Sequence, residues 1–171
     1  IMDALATAVA QDRTSILALT SLKTHDSYTF SHMINVSLLT MAQARSLGVD
    51  GALLREFGVA GLMHDIGKTQ TPAELLNKPG KLTDSEMNIV KRHVVDGAQI
   101  LRRTPDMPAL AAVVAFEHHL RQDLSGYPEN IGRRPLNLCT MLVSIADVFD
   151  ALRTNRAYRE GLPTDRVRAM L

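Results

Sequence analysis

Residues 61–68 read GLMHDIGK: an apolar helical run ends on a histidine and an aspartate side by side, closed by a glycine and a lysine. Working outward, Asp50 can cap a helix that runs through Leu53, Leu54, Phe57 and Leu62 into this stretch, where Gly67 is expected to stop it. Two coordinating side chains at a helix stop read either as an exposed helix end or as half of a metal site. Elsewhere apolar residues recur at intervals of three and four, and strand-like alternation is hard to find. The predicted fold class is all-α, a bundle of about six to eight helices.

A first helix is expected over about residues 2–22. Thr29 offers an N-cap for a second, with Phe30, Met33, Ile34, Leu38 and Met41 on one side and Gly48 past its end. Thr71-Pro72-Ala73-Glu74 and Thr83-Asp84-Ser85-Glu86 both have capping-box form; the second should open a helix reaching about Arg103. Pro105 and Pro108 bracket the start of ALAAVVAFEHH. LRQDLSGYPENIGRRP then breaks the periodicity, and an ordered loop of that length is often functional. LNLCTMLVSIADVFDAL restores a helix that is apolar nearly all round and is expected to be central.

The 171 residues suit one domain with a real core, built from Leu, Val, Ile, Met and Ala because Trp is absent and aromatics are few. A net charge of +1 gives no basic field for DNA binding. Cys139 is the only cysteine, which excludes an internal disulfide and fits a reducing, cytoplasmic compartment. No apolar run approaches the roughly 18 residues of a membrane helix, and nothing reads as a signal peptide. The amphipathic start at Ile1 and the unfinished helix TDRVRAML suggest a module from a longer protein.

Six histidines are present, at 25, 32, 64, 93, 118 and 119. Singly, a helical histidine is more often an ordinary residue than a ligand. Here His32 and His64 occupy positions where leucine is expected, His93 lies early in its helix, and His118-His119 end the next. Asp147 interrupts the most apolar helix, and a buried carboxylate without a cation or hydrogen bonds costs several kcal/mol. Leaving out His25, which is expected to face solvent, five imidazoles with Asp65 and Asp147 make seven candidate ligands. A single zinc needs about four; seven suit two octahedral-leaning ions if Asp65 bridges them. Two ions about 3.5–4 Å apart are a device for in-line displacement at phosphorus, through a shared water acidified to hydroxide. Lys68 could neutralise a phosphate oxygen, or simply complement a helix C-terminus. Glu117 could orient a ligand or be a surface residue.

HDIGK, HVVDGAQIL, HH…D…GYP and ADVFDALRTNRAYR, in that order and spacing, resemble the HD-GYP domains of the HD phosphohydrolase superfamily; the likeness covers about residues 26–160. DSYTFSH looks like the same family's approach to its second helix. The resemblance implies an HD-type bundle with a long GYP loop over residues 26–171, preceded by a connecting helix at 1–25. It implies a metal-dependent phosphodiesterase that cleaves cyclic di-GMP, or a related cyclic dinucleotide, to linear pGpG and then GMP. It places one ion on His32, His64, Asp65 and Asp147, and a second on Asp65, His93, His118 and His119. Iron or manganese is the usual family metal, with nickel, cobalt or zinc compatible. Substrate contacts fall on Lys68, Tyr127, Arg156 and Arg159. An upstream receiver or sensory domain is expected, with the first helix as lever or homodimer contact.

Four positions depart from the family pattern. Leu120 replaces the glutamate after the histidine pair, Leu124 a loop glycine, and Ala157 a proline between the two arginines; Tyr28 stands where some members carry a glutamate for a third ion. Two ions and a slow second cut are therefore expected. A cyclic-dinucleotide sensor or protein-docking module with little turnover is the alternative that Leu120 and Leu124 favour. A phosphohydrolase of another substrate class is disfavoured by the GYP loop.

Overall fold

The structure is a computed structural model that describes residues 27–129, 131–132, 134–154 and 160–170. Among these, α1 spans Ser27–Ser46, α2 Gly51–Met63, a 3-10 turn Ile66–Gln70, α3 Ala73–Leu76, α4 Asp84–Lys91, α5 His93–Arg103, α6 Ala109–Glu117, α7 Leu138–Arg153 and α8 Thr164–Arg168. The all-α class is borne out; the nearest approach to sheet among the described residues is one isolated bridge, Leu120 to Gly126. The expected helix over 2–22 lies outside the described residues.

α1 and α2 are joined by a turn in which Gly48 takes φ +84°, the left-handed C-cap read from the sequence. The two helices touch through small residues. Ser37 Oγ donates to the Gly58 carbonyl at 2.7 Å, and a Cβ on Gly61 would come 3.1 Å from Ser37 Cα. This close approach brings the His32 and His64 rings to 5.6 Å. α1 also packs on α7, α2 on α6, and α5 on both α6 and the 3-10 turn. Met33, Met41, Phe57, Met63, Leu101, Val114 and Val143 fill the core between them.

Several local expectations are corrected. α1 is already helical at Ser27, so Thr29 lies inside it, buried, and does not cap it. Asp50 holds the N-cap position of α2 without a side-chain bond. The Thr71 box does not form: Pro72 is the cap residue of a four-residue helix. The Thr83 box does form, with Thr83 Oγ1 accepting from the Glu86 amide and Glu86 accepting from the Thr83 amide. Its helix ends at Lys91 rather than Arg103, because the His93 ring N–H takes the Val90 carbonyl and the Arg92 and Val95 amides bond only three residues back. Gly67 is no C-cap. α2 has ended at Met63, and a Cβ on Gly67 would sit 1.9 Å from the His93 carbonyl oxygen. Finally, α7 is not central all round. Cys139, Leu142, Val143 and Ala146 face the core, whereas Leu138, Ile145 and Val148 are exposed.

Candidate metal centre

Five chain segments converge on one end of the bundle. α1 supplies His32, the end of α2 His64 and Asp65, α5 His93, the end of α6 His118 and His119, and α7 Asp147. Their donor atoms form two groups, each with all atoms within 4.8 Å of one another: Asp65, His93, His118 and His119 in one, and His32, His64 and Asp147 in the other. Asp65 joins them, with Oδ1 3.3 Å from His93 Nε2 and Oδ2 3.4 Å from His64 Nε2.

Three of the histidines are held by one local device. Nδ1–H of His64 donates to the Gly61 carbonyl at 2.7 Å, that of His93 to Val90 at 2.7 Å, and that of His118 to Ala115 at 3.1 Å. A carbonyl only accepts, so Nδ1 carries a proton in each and the ring turns its Nε2 inward. The Nε2 atoms of His93 and His118 then lie 3.4 Å apart with Asp65 Oδ1 beside both. Two ring nitrogens and a carboxylate oxygen this close together are donors that one cation could share. Three buried side-chain polar atoms among the described residues lack a hydrogen-bond partner; two of them are His64 Nε2 and Asp65 Oδ1. The donor set thus fits divalent ions with nitrogen and oxygen ligation.

The mouth of the centre is made by the GYP loop. Tyr127 lies against His119, with ring centroids 4.5 Å apart, and Lys91 Nζ stands 5.5 Å over its ring. Gly126 takes φ +101°, and a Cβ there would meet the His119 carbonyl at 2.2 Å. Leu124 is in the left-handed region at φ +63°, and Leu120 is buried beneath the loop. Lys68 pairs with Asp65 Oδ2 and remains partly exposed. Arg156, Arg159 and His25 lie outside the described residues.

The family model described as HD domain matches residues 6–170. This chain belongs to the HD domain family. Its resemblance to HD-GYP proteins is borne out by the relatives. Cyclic di-GMP phosphodiesterase PA4108 of Pseudomonas aeruginosa is 40% identical over 161 residues, covering 94% of this chain and 39% of that protein. The cyclic di-GMP phosphodiesterase response regulator RpfG of Xanthomonas campestris is 36% identical, over 85% of this chain and 39% of that protein. The 3'3'-cGAMP-specific phosphodiesterase 1 of Vibrio cholerae is 38% identical, over 82% and 32%. Among solved structures, the HDG"Y"P protein Bd1817 from Bdellovibrio bacteriovorus superimposes with a TM-score of 0.66 at 25% identity, over 81% of this chain and 44% of that one. The chain therefore spans between about a third and two fifths of these curated relatives.

Charge in this HD domain is arranged around Asp65. Burial alone would raise its carboxyl, but Lys68 and then His64 hold it well below the usual carboxylate range. Burial pushes His93 down to about 4 and His119 to about 2, so both are neutral. His32 differs: burial lowers it, yet hydrogen bonds to Asp147 and Asp150 outweigh that and hold it near 9. The Asp147 carboxyl, raised by burial, is lowered overall by the same His32 bond. Burial raises the Tyr127 phenol, which stays protonated.

Sequence reasoning missed Asp150 and Asn35. Asp150 Oδ2 lies 2.6 Å from His32 Nδ1, and its other oxygen accepts from Asn35 Nδ2 at 2.9 Å. The available signal was a second acid in the apolar helix, three residues after Asp147. Glu117 is fully buried and belongs neither to solvent nor to a ligand ring. It pairs with Arg134 from the far side of the GYP loop and accepts from Thr140 Oγ1 at 3.0 Å, tying that loop to α7 beneath the histidine pair.

Proposed function

We propose that this HD domain is a metal-dependent phosphodiesterase that hydrolyses cyclic di-GMP to linear pGpG, with a slower second cut to GMP. The observation that carries the reading is the Asp65 carboxylate lying between two histidine groups, at 3.3 and 3.4 Å, under the Tyr127 loop. The names of the relatives, cyclic di-GMP and cGAMP phosphodiesterases, support the substrate class.

His32, His64, Asp65 and Asp147 would hold one ion and Asp65, His93, His118 and His119 the other, with iron or manganese the first choice. Two bound ions supply Lewis acidity at the phosphoryl oxygens and an acidified water for in-line attack. The Nδ1–H bonds to backbone carbonyls keep three Nε2 atoms aimed inward, so the rings are already oriented for ligation. Lys68 stands beside Asp65 at the rim, where its ammonium opposes charge developing on the phosphate. Tyr127 offers a protonated phenol and a ring face next to His119, suited to a stacked guanine or a phosphate oxygen. Arg156 and Arg159 are assigned to phosphate by their motif.

Residues 26–171 would be the phosphohydrolase unit and 1–25 a connecting helix or homodimer contact, in a cytoplasmic protein with a receiver or sensory domain upstream. Among the described residues no helix is long and apolar enough to cross a membrane. The sensor reading draws its support from Leu124, whose left-handed backbone the family glycine would adopt without strain. The test is product analysis: Fe(II)- or Mn(II)-loaded protein incubated with cyclic di-GMP, 3'3'-cGAMP and cyclic di-AMP, resolved by chromatography and mass. Linear pGpG as the main product from cyclic di-GMP supports the enzyme. Tight binding with intact dinucleotide moves the assignment to the sensor.

A further inference from the structure

The histidines of the centre are not all braced alike. His64, His93 and His118 lean on neutral backbone carbonyls, whereas His32 leans on the Asp150 carboxylate at 2.6 Å. Asp150 is itself buried on α7, one turn beyond Asp147, and Asn35 one turn along α1 from His32 pins its second oxygen at 2.9 Å. Negative charge is therefore unevenly divided. The His32 group has Asp147 and Asp65 at hand with Asp150 behind the ring; among the described residues, the His93 group has Asp65 alone.

We propose that Asp150 is a positioning residue that makes the two ion positions unequal, so that the His32–His64–Asp147 position binds a divalent ion more tightly than the His93–His118–His119 position. The inference rests on the two-ion reading above and deepens it. A carboxylate accepting from Nδ1–H fixes the ring orientation and makes Nε2 a stronger donor to a cation, and its charge adds attraction at short range. Loss of such a partner typically costs about 10–100-fold in metal affinity. Backbone carbonyls orient the other rings without supplying a charge. Asn35 keeps Asp150 from rotating away.

The experiment is a calorimetric titration of metal-stripped protein with Mn(II), without substrate, alongside thermal unfolding of each metal-free variant. The wild type should show two classes of site, tight and weak. Asp150→Asn should weaken the tight class about 10–100-fold and leave the weak class unchanged. His119→Ala should remove the weak class only, which identifies the two. Asn35→Ala, which keeps the carboxylate, should weaken the tight class to a smaller degree, and it decides the matter if metal-free Asp150→Asn does not fold. Unchanged affinities in Asp150→Asn, or no effect of Asn35→Ala where that variant has to decide, overturn the proposal. So does weakening of the class that His119→Ala removes. A wild type that binds fewer than two ions overturns the two-ion reading and this inference with it.

Discussion

Asp65 uses both carboxylate oxygens on different partners, Oδ1 toward His93 and His118 and Oδ2 toward His64 and Lys68. Its neighbour Lys68 touches the same carboxylate from the partly exposed rim and, as an ammonium, cannot itself ligate a cation, so the two should separate on substitution. Lys68→Ala should leave bound metal unchanged and lower kcat about 100- to 1000-fold, as removal of a charge-stabilising donor does; metal analysis with steady-state kinetics checks both halves. The histidines also set a pH profile for the metal-free protein. His93 and His119, lowered to about 4 and 2 from 6.5, contribute stability fully above about 6.5, and it is lost as pH falls below that, through 4 for His93 and 2 for His119. His32, raised to about 9, contributes fully below about 6.5, and that is lost as pH rises through 9. The melting temperature of the metal-free protein should peak near pH 6.5, and a flat profile between pH 4 and 9 would contradict the assignment. The candidate ligands were visible in the sequence because His and Asp are rare on apolar helix faces. Asp150 gave the same signal, but its role did not show, because a partner 118 positions away leaves no local trace.

At the scale of elements, what could be read was what four neighbouring residues decide. The Thr83 capping box is such a case, and it forms. The break between α4 and α5 is not, since it follows from a histidine ring taking a backbone carbonyl. Gly67 was misread for the same reason: the requirement for glycine comes from the facing α5 backbone, not from its own φ. Gly67→Ala should therefore destabilise by about 3 kcal/mol, because the Cβ meets backbone atoms on a packed helix. Gly97→Ala, whose Cβ would sit 3.1 Å from the Gly67 amide, should cost less. Denaturant unfolding of the pair ranks them. Leu124→Gly should cost no stability, since relief of about 1 kcal/mol of left-handed strain offsets the added freedom of the unfolded chain. A loss above that amount would show that the leucine side chain itself supports the loop.

For the whole molecule, the all-α class was legible from periodicity alone, while the arrangement was not. Ser37, Thr40, Gly58 and Gly61 decide how closely α1 and α2 approach, and small residues carry little hydrophobic signal. Likewise the sequence of α7 reads as apolar throughout, yet packing covers only one side of it. The fold brings candidate ligands from five segments to one place, so ion binding there should stabilise the whole bundle. At 100-fold excess over Kd, Mn(II) should add about 2.7 kcal/mol for each site and raise the melting temperature accordingly. An ion that leaves the melting curve unmoved would mean that the convergent histidines are not its ligands.

The central claim is that Asp65 unites two ion positions into one phosphodiesterase centre. Its most direct test counts ions and products together, in the wild type and in Asp65→Ala, after equilibration with Mn(II) and incubation with cyclic di-GMP. The prediction is two ions per chain with pGpG formed by the wild type, and loss of both ions and product in Asp65→Ala. An Asp65→Ala protein that keeps two ions, or still yields pGpG at the wild-type rate, would contradict it.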